Sequence, residues 1–300
     1  MSPAIERVDR HDRPVLILGA SGMAGRALVE AGKQRDYKVV GASRTGSDVA
    51  LDLEDATALQ AVVRDLKPGL IINTVADVNV GRCEENPGRA WCVNARPVAF
   101  IADLACEIDS RLIHVSTDHY FCGNGKKRHD EQAPVTLLNE YARTKFAAEG
   151  LALTWSDSLV VRTNIVGLRP GRGDSFAEWC LDVIHNDREA TLFGDQFVSC
   201  IDVWNFSECV FDLAETTFRG LINVASRNVF SKAEFAFALA EVEGKTMTRA
   251  KIGSVGNQAT RRPDSLGLDV SLAEQIIGRS MPSLADVVAA IHHHSHHSGN

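Results

Sequence analysis

An apolar run that breaks on three evenly spaced glycines constrains this chain more than any other feature. Residues 15–28 have the sequence VLILGASGMAGRAL, in which Gly19, Gly22 and Gly25 lie three residues apart. The pattern predicts a buried strand, a tight turn and a helix whose first N–H groups face an anion. Gly19 permits the turn, Gly22 lets a pyrophosphate approach the backbone, and Gly25 allows close packing of helix on strand. We therefore predict a phosphate-binding loop, with Ser21 and Met23 also against the cofactor.

The glycine spacing differs from the fingerprint that dinucleotide-binding proteins usually carry. That fingerprint is G-x-G-x-x-G, whereas this chain has G-x-x-G-x-x-G. Taken alone, the three glycines also fit an ordinary turn from strand to helix. The rest of the chain has to decide between the two interpretations.

Strand and helix patterns alternate along the first half of the chain. Apolar strand-like runs occupy residues 37–43, 70–73, 111–115 and 158–164, and helical patterns cover 55–67, 87–107 and 139–149. This alternation predicts an α/β fold, a Rossmann-type doubly wound parallel sheet with a smaller C-terminal substrate-binding part. The predicted division is a tail (1–13), an NAD(P)-binding domain (14–165, with a return around 196–226), a substrate-binding part (166–195 and 227–290) and a histidine-rich tail (291–300).

Composition excludes several classes of partner and location. The formal net charge of −7, without a block of Lys and Arg, argues against nucleic acid or a membrane surface as a partner. Seven cysteines without a Cys-x-x-Cys pair fit reduced thiols better than a disulfide framework. The chain has neither a signal-peptide pattern near Met1 nor an apolar run of about 18 residues. We expect a cytoplasmic protein.

The end of the second predicted strand indicates which nicotinamide cofactor binds. An acidic residue there would bind the ribose 2′-hydroxyl of NAD, but this chain has Ser43 and Arg44, which suit a 2′-phosphate. NADP is therefore the predicted cofactor, with NADH still possible and Arg44 as a solvated loop residue the alternative. Further predicted cofactor contacts are Asp52 and Leu53 near the adenine, and the small residues Thr74, Val75 and Ala76 after the strand at 70–73.

Polar side chains with catalytic potential come from two places in the chain. Ser116, Thr117 and Asp118 follow a buried strand, at the sheet edge where ligands of α/β proteins bind. Tyr141 and Lys145 lie one helical turn apart on one face. Asn94 interrupts an otherwise apolar helix face, so it is either a buried, satisfied amide or a residue that supports the site.

The C-terminal residues include five histidines at positions 292, 293, 294, 296 and 297. Such a stretch is either a natural end or a remnant of purification, and we assign it no role beyond adventitious metal binding. His119 and Cys122 lie three residues apart in one loop without a third ligand, which is weak support for a metal. No metal site is predicted.

These residues together resemble the extended short-chain dehydrogenase/reductase superfamily, and most closely its dTDP-4-dehydrorhamnose reductase family. The resemblance covers almost the whole chain. Its motifs here are Asn73-Thr74-Val75-Ala76, then Cys83-Glu84, Pro87, Ala90 and Val93-Asn94-Ala95; Ser116-Thr117-Asp118 with Phe121 and Gly123; Tyr141-x-x-x-Lys145; Arg162-Thr163; and Arg262-Pro263-x-Ser265-x-x-Leu268-Asp269.

The resemblance implies reduction of a keto group on a nucleotide-activated deoxysugar by NADPH. Tyr141 would donate a proton to the developing alkoxide, with its pKa lowered by the charge of Lys145. Lys145 would also hold the nicotinamide ribose, and Thr117 would hydrogen-bond the carbonyl oxygen. Ser116 and Asp118 would orient Thr117 or cap the turn. Arg262 is the candidate for the substrate diphosphate, with a structural salt bridge as its alternative.

Departures from the family pattern concentrate where substrate is expected. His119 replaces a tyrosine, Cys122 and Gly81 replace aspartates, and Ile165 replaces an aromatic residue near the predicted substrate contact Asn164. The identity of the sugar is therefore open. Three other functions stay open too: a nucleotide-sugar epimerase or dehydratase, a non-catalytic NADP-binding regulatory subunit like that of methionine adenosyltransferase, and a reductase of another carbonyl compound. A homodimer is a further possibility.

Overall fold

The chain forms a seven-stranded parallel sheet, seen in a computed structural model that describes residues 12–169 and 175–297. Its strands are β1 (Val15–Leu18), β2 (Val39–Ser43), β3 (Val49–Ala50), β4 (Leu70–Asn73), β5 (Arg111–Val115), β6 (Ser158–Arg162), β7 (Ile165–Val166), β8 (Ala190–Phe193), β9 (Phe197–Val198), β10 (Ile201–Asp202), β11 (Gly220–Asn223), β12 (Phe230–Ser231), β13 (Ala250–Gly253) and β14 (Ser265–Leu266). The large sheet has the order β11-β6-β5-β4-β1-β2-β3. Three small sheets combine β7 with β10, β8 with β13, and β9 with β12 and β14.

Helices cover both faces of the large sheet. They are α1 (Met23–Gln34), α2 (Ala56–Leu66), α3 (Val80–Glu85), α4 (Pro87–Asn94), α5 (Arg96–Glu107), α6 (Glu140–Ala152), α7 (Phe176–Asn186), α8 (Val203–Ala214), α9 (Lys232–Val242), α10 (Ser271–Ile277) and α11 (Leu284–His297). Within residues 12–169 and 175–297, none of them is long and apolar enough to cross a membrane.

Alternating residues of the interior strand β1 pack into two separate hydrophobic cores. Val15 and Ile17 pack with α1, α8 and α10 on one face, whereas Leu16 and Leu18 pack with α2, α5 and α6 on the other. All four side chains are fully buried. A strand that is buried on both faces is typical of a parallel sheet between two helical layers, so the predicted doubly wound α/β fold is confirmed.

A third core lies in the C-terminal half, among α7, α9 and α11. The chain returns to the large sheet with α8 and β11, inside the stretch 196–226. The division into an NAD(P)-binding domain and a substrate-binding part stays a prediction. Residues 1–11 of the predicted N-terminal tail and residues 298–300 of the predicted histidine-rich tail lie outside the described residues, and residues 291–297 continue helix α11.

The sequence pattern over residues 87–107 predicts one long helix, and this prediction is wrong. The structure has two helices, with α4 ending at Asn94 and α5 beginning at Arg96. Pro97 explains the break, because its ring nitrogen cannot donate to the carbonyl of Val93 and its ring would clash there. By contrast, α9 has a well-defined start, where Ser231 and Glu234 form a reciprocal capping box.

A buried guanidinium joins β5 to a distant part of the chain. Arg111 has no exposed surface, and it donates to the carbonyl oxygens of Leu213 (3.2 Å), Thr216 (2.8 Å) and Phe218 (2.7 Å). These three carbonyls end α8 and lead into β11. The contact therefore fixes the edge of the sheet through hydrogen bonds to a buried charge, which are stronger than those between neutral groups.

A buried ion pair fastens helix α6 to β6. Arg162 Nη2 donates to Glu149 Oε2 at 2.7 Å and Arg162 Nε donates to Glu149 Oε1 at 3.0 Å. The two side chains are only 4% and 5% exposed. Ser116, just after β5, donates its hydroxyl to Glu149 Oε1 at 2.6 Å. Helix α6, strand β6 and the segment after β5 carry polar residues toward the same end of the sheet, and this network holds the three together.

We expect Gly25→Ala to destabilise the fold by about 3 kcal/mol, because a Cβ at this position would lie 2.1 Å from the carbonyl oxygen of Gly19 and cannot be accommodated without moving backbone. Gly150→Ala is the matched control. It lies on exposed α6 surface with nothing within 4 Å of the added Cβ, so it should stabilise the protein by about 0.5–1 kcal/mol. Urea denaturation measures both, and equal effects of the two substitutions would refute the packing argument.

Replacing Glu149 by Gln should lower the free energy of unfolding by about 3 kcal/mol, because Arg162 then keeps a buried charge without an anionic partner. Glu107→Gln removes the partner of Arg64 in an ion pair that solvent reaches on both sides. Its effect on urea denaturation should be negligible, since water and salt screen such pairs. A small effect of Glu149→Gln would show that the buried pair does not tie α6 to the sheet.

Candidate active site

A cleft of about 800 Å³ lies at the carboxyl ends of β1, β2, β4 and β5. This is the edge of a doubly wound sheet at which ligands bind. Most of the residues singled out from the sequence line it: Gly19, Ser21, Gly22, Met23, Ser43, Arg44, Asp52, Leu53, Thr74, Val75, Ala76, Ser116, Thr117, Asp118, His119, Tyr141, Lys145, Asn164 and Arg262. Gly25 and Asn94 do not.

The glycine loop has the geometry of a phosphate cradle. Gly19 has a φ of +88°, and a Cβ there would lie 2.5 Å from Thr74 Oγ1, so only glycine fits. Helix α1 begins at Met23 after the N-cap Gly22, and no described side chain caps it. Its first N–H groups are therefore available to an anion, with the helix dipole favouring negative charge. Gly25 contributes packing against Gly19 rather than cleft surface.

The end of β2 presents one basic residue, and a second comes from elsewhere in the chain. Ser43 is mostly buried, and its hydroxyl donates to the carbonyl of Thr45 at 2.8 Å, so it shapes its own turn. Arg44 is exposed and lines the cleft. Arg89, from α4, also lines the cleft and pairs with Glu54. Sequence reasoning missed Arg89 because no local pattern links α4 to the end of β2.

Tyr141 and Thr117 adjoin each other at the floor of the cleft. A hydrogen bond with Thr117 favours ionised Tyr141, but burial outweighs it and raises the pKa of Tyr141 above its ordinary value. Asp118 adds to that increase. The expected net lowering of the Tyr141 pKa is therefore wrong for this structure, because the cost of burying a phenolate dominates.

Lys145 lies under the cleft and is almost completely buried. Its Nζ donates to the carbonyl of Val115 at 2.8 Å and lies 3.3 Å from His114 Nε2. Burial lowers the pKa of Lys145 to about 8, with the charge of Glu149 acting in the opposite direction. The other ring nitrogen of His114 lies 3.2 Å from Asn73 Nδ2. Lysine, histidine and asparagine thus form a buried polar row behind the catalytic candidates.

Ser116 and Asp118 have separate partners on either side of Thr117. The hydroxyl of Ser116 is used by Glu149 and lies 3.1 Å from the hydroxyl of Tyr120, so it holds the network beneath the site instead of facing a ligand. Asp118 Oδ2 accepts from Asn164 Nδ2 at 2.6 Å. Burial raises the pKa of Asp118 to about 7. Asn164 therefore orients the carboxyl group that adjoins Thr117.

Asn94 satisfies both interpretations that its position in the sequence allows. Its side chain is completely buried, so it supports the site without touching the cleft. Its Oδ1 accepts from the backbone N–H of Asp77 at 2.6 Å, and its Nδ2 donates to the carbonyl of Asp77 and to Thr144 Oγ1, both at 3.1 Å. The loop after β4 is thereby tied to α6. Asp77 and Arg82, which sequence reasoning missed, pair at 2.6 Å and line the cleft.

The far end of the cleft combines an uncharged imidazole with a guanidinium. His119 packs its ring edge-to-face on Tyr141, with centroids 5.5 Å apart, and its buried Nε2 has no hydrogen-bond partner among the described residues. Burial, together with the charges of Arg262 and Lys232, lowers the pKa of His119 to about 4. Arg262 is exposed, and within residues 12–169 and 175–297 it forms no salt bridge. The predicted alternative of a structural salt bridge is thus not found among these residues.

Comparison with known proteins agrees with this geometry. Residues 13–296 match the family model described as RmlD substrate binding domain. The probable low-salt glycan biosynthesis reductase Agl14 of Haloferax volcanii is 28% identical over 287 residues, which cover 92% of this chain and 96% of that protein. The dTDP-4-dehydrorhamnose reductase of Escherichia coli is 27% identical over 285 residues, 89% of this chain and 93% of the relative.

Solved structures share the fold. A dTDP-4-dehydrorhamnose reductase of Bacillus anthracis, solved in complex with NADP, superposes with a TM-score of 0.85 at 23% identity, covering 93% of this chain and 98% of that one. A hypothetical dTDP-4-dehydrorhamnose reductase of Sulfolobus tokodaii gives 0.81 at 27% identity, over 90% and 97% of the two chains. Since the family model spans nearly the whole sequence, the chain belongs to the RmlD substrate binding domain family.

Proposed function

We propose that this protein reduces a keto group on a nucleotide-activated deoxysugar of the dTDP-4-dehydrorhamnose type, with NADPH as reductant. One observation carries the proposal: Thr117, Tyr141 and Lys145 line the same cleft as the glycine loop at the start of α1. A proton donor, a hydrogen-bond donor for a carbonyl oxygen and a dinucleotide cradle are the parts that such a reduction requires. The full-length relatives named as reductases support this assignment.

The residues present fit NADP. A Cβ at Gly19 would fill the cradle, and the open N-terminus of α1 suits a pyrophosphate. Arg44, exposed at the end of β2, suits the 2′-phosphate that distinguishes NADP from NAD. Lys145 is placed to hold the nicotinamide ribose, and Asp52 the adenine. Bound NADPH supplies the hydride for the carbonyl carbon.

The chain's own residues provide the proton and stabilise the developing charge. Because burial raises its pKa, Tyr141 keeps its proton at neutral pH and can transfer it to the substrate oxygen as negative charge develops there. Thr117, beside the Tyr141 hydroxyl, donates a hydrogen bond to the same oxygen. Lys145, with a pKa of about 8, is mainly charged at neutral pH and stabilises the tyrosinate that remains.

The substrate's sugar and diphosphate are assigned to the far end of the cleft. Arg262 offers an exposed guanidinium for the diphosphate, since the fork of N–H groups matches phosphate oxygens. His119 offers a buried, uncharged ring nitrogen without a protein partner, which suits a sugar hydroxyl. Asn164 acts on the site through its hydrogen bond to Asp118. The homodimer and the cytoplasmic location stay predictions from the sequence.

The reaction can be tested with dTDP-4-keto-6-deoxysugar by following the loss of NADPH absorbance. Tyr141→Phe should reduce kcat by about 10²- to 10⁴-fold because the proton donor is lost, while NADPH affinity measured by fluorescence stays within twofold of the wild type, about the error of such a titration. Phe146→Tyr on the exposed face of α6 is the matched control and should leave kcat unchanged.

The cofactor balance separates the alternatives. A reductase consumes one NADPH per sugar, whereas an epimerase or dehydratase returns the hydride and leaves the absorbance constant. Tight NADPH binding without turnover on dTDP-, UDP- or GDP-linked keto sugars would contradict the proposal and favour a regulatory subunit. Turnover of a simple carbonyl compound that is unaffected by Arg262→Ala would favour a substrate without a nucleotide.

Arg44→Ala should weaken NADPH binding by about 10- to 100-fold, because a charge-assisted hydrogen bond to the 2′-phosphate is lost. NADH binding should stay unchanged, since NADH lacks that phosphate. Arg188→Ala controls for the general loss of a positive charge, because Arg188 lies just after α7 and forms an exposed ion pair with Asp182. Fluorescence titration measures both affinities. An equal effect on NADH and NADPH would assign the 2′-phosphate to another residue, with Arg89→Ala as the next variant.

A further inference from the structure

A nearly buried carboxylate near the C-terminus is held by histidines. Glu243, the residue that ends α9, has a side chain only 2% exposed. Its Oε2 lies 2.7 Å from His185 Nε2 and 3.2 Å from His296 Nε2, and its Oε1 lies 2.8 Å from His292 Nδ1. In the part of the chain that the structure describes, no Lys or Arg forms an ion pair with Glu243. We call these four residues the Glu243 cluster.

Three helices build this cluster. His185 lies in the last turn of α7, Glu243 ends α9, and His292 and His296 are spaced four residues apart on one face of α11. Helix α11 is anchored in the third core by Val287, Val288 and Ile291. The site is therefore formed by packed elements and not by a loose histidine-rich end.

Further contacts show that the C-terminal end of α11 packs against the body of the protein. His294 stacks on Trp204 of α8, with ring centroids 3.6 Å apart and planes 7° from parallel. His293 and His297, in contrast, are exposed and stack on each other with centroids 4.4 Å apart. The five histidines thus divide into members of the Glu243 cluster, a packing residue and a solvent-facing pair.

The donor set matches a divalent transition metal. The ligand atoms of His185, Glu243 and His296 all lie within 4.8 Å of one another. Two imidazole nitrogens and one carboxylate oxygen are a set that Zn²⁺ prefers, at about 2.0–2.2 Å from each ligand atom. The imidazoles of His185 and His296 are 40% and 50% exposed, so an ion has access from solvent. A carboxylate removed from water is also stabilised by a nearby cation.

We propose that His185, Glu243 and His296 bind one zinc-class divalent ion, which clamps α11 to α7 and α9. His292 serves as a positioning residue, because it hydrogen-bonds the second oxygen of Glu243 and fixes the direction of the first. None of the four residues lines the active-site cleft. The ion therefore has a structural role, and the inference is independent of the proposed reductase activity.

The test uses the full chain, purified without an added histidine tag and freed of metal with a chelator. Zinc is titrated by calorimetry, and the melting temperature is measured with and without it. We expect one tight equivalent and a higher Tm with zinc. Cobalt added in place of zinc should give the visible absorption of a tetrahedral site, which reports the ligands directly.

Matched variants distinguish the cluster from a histidine-rich surface. His185→Ala/His296→Ala should weaken zinc binding by at least about 100-fold, and His292→Ala by about 10-fold. His293→Ala/His297→Ala removes as many histidines from the exposed pair and should leave both affinity and the Tm increase intact. His185→Ala alone, at a partly exposed position, repeats the test if the double variant folds poorly.

Two results would overturn the proposal. The first is equal loss of zinc binding in both double variants, which would mean an adventitious ion only. The second is a wild-type protein that binds zinc without a change in Tm and without a tetrahedral cobalt spectrum. Neither readout uses enzymatic turnover, so failure here leaves the reductase assignment untouched.

Discussion

The buried ion pair between Glu149 and Arg162 fixes the frame on which the active site depends. Glu149 lies on the helix that carries Lys145 one turn and Tyr141 two turns further toward its N-terminus. Arg162 ends the neighbouring strand β6, and its guanidinium also lies 5.0 Å from the centre of the Tyr120 ring. Since a buried charge without its partner is costly, helix and strand cannot slide past each other. Tyr141 is thus positioned by a contact that it does not itself make.

Burial shifts four titratable groups of the cleft toward their neutral forms. It raises the pKa of Tyr141 and Asp118 and lowers the pKa of Lys145 and His119. At neutral pH the phenol of Tyr141 and the imidazole of His119 are therefore uncharged, and Asp118 is only partly ionised. Lys145 stays mainly charged beneath the cleft, and Arg44 and Arg262 are exposed along its length. Guanidinium groups stay charged at all accessible pH values. Anionic ligands are therefore attracted to the exposed guanidinium groups, and hydrogen bonds are strong at the buried cleft floor, where water is largely excluded.

Local patterns in the sequence predicted the features that depend on residues close together in the chain. The glycine spacing predicted the loop before α1, and the end of β5 and the helix with the Tyr-x-x-x-Lys spacing predicted that Thr117 and Tyr141 lie in one cleft. The sign of the pKa shift at Tyr141 was not predictable, because it depends on how many distant atoms exclude water from the phenol. Arg89 and the Glu243 cluster were missed for a similar reason, since packing brings together helices that no motif connects. The break between α4 and α5 was also missed, but it could have been predicted, because Pro97 itself indicates it.

The guanidinium of Arg111 has a consequence for how this chain folds. Its carbonyl partners follow it by 102 to 107 residues, so these hydrogen bonds to the buried charge of β5 cannot form until α8 and the start of β11 have been made, and only its ion pair with Asp157 can form earlier. Contacts of such long sequence separation slow folding, because a large loop must close before they form. During synthesis, the hydrogen bonds of Arg111 in β5 therefore form only after the segment at 213–218 has been made. A nascent chain shorter than this exposes the apolar sheet face that α8 later covers and the edge of β6 with which β11 later pairs, and it is therefore prone to aggregate.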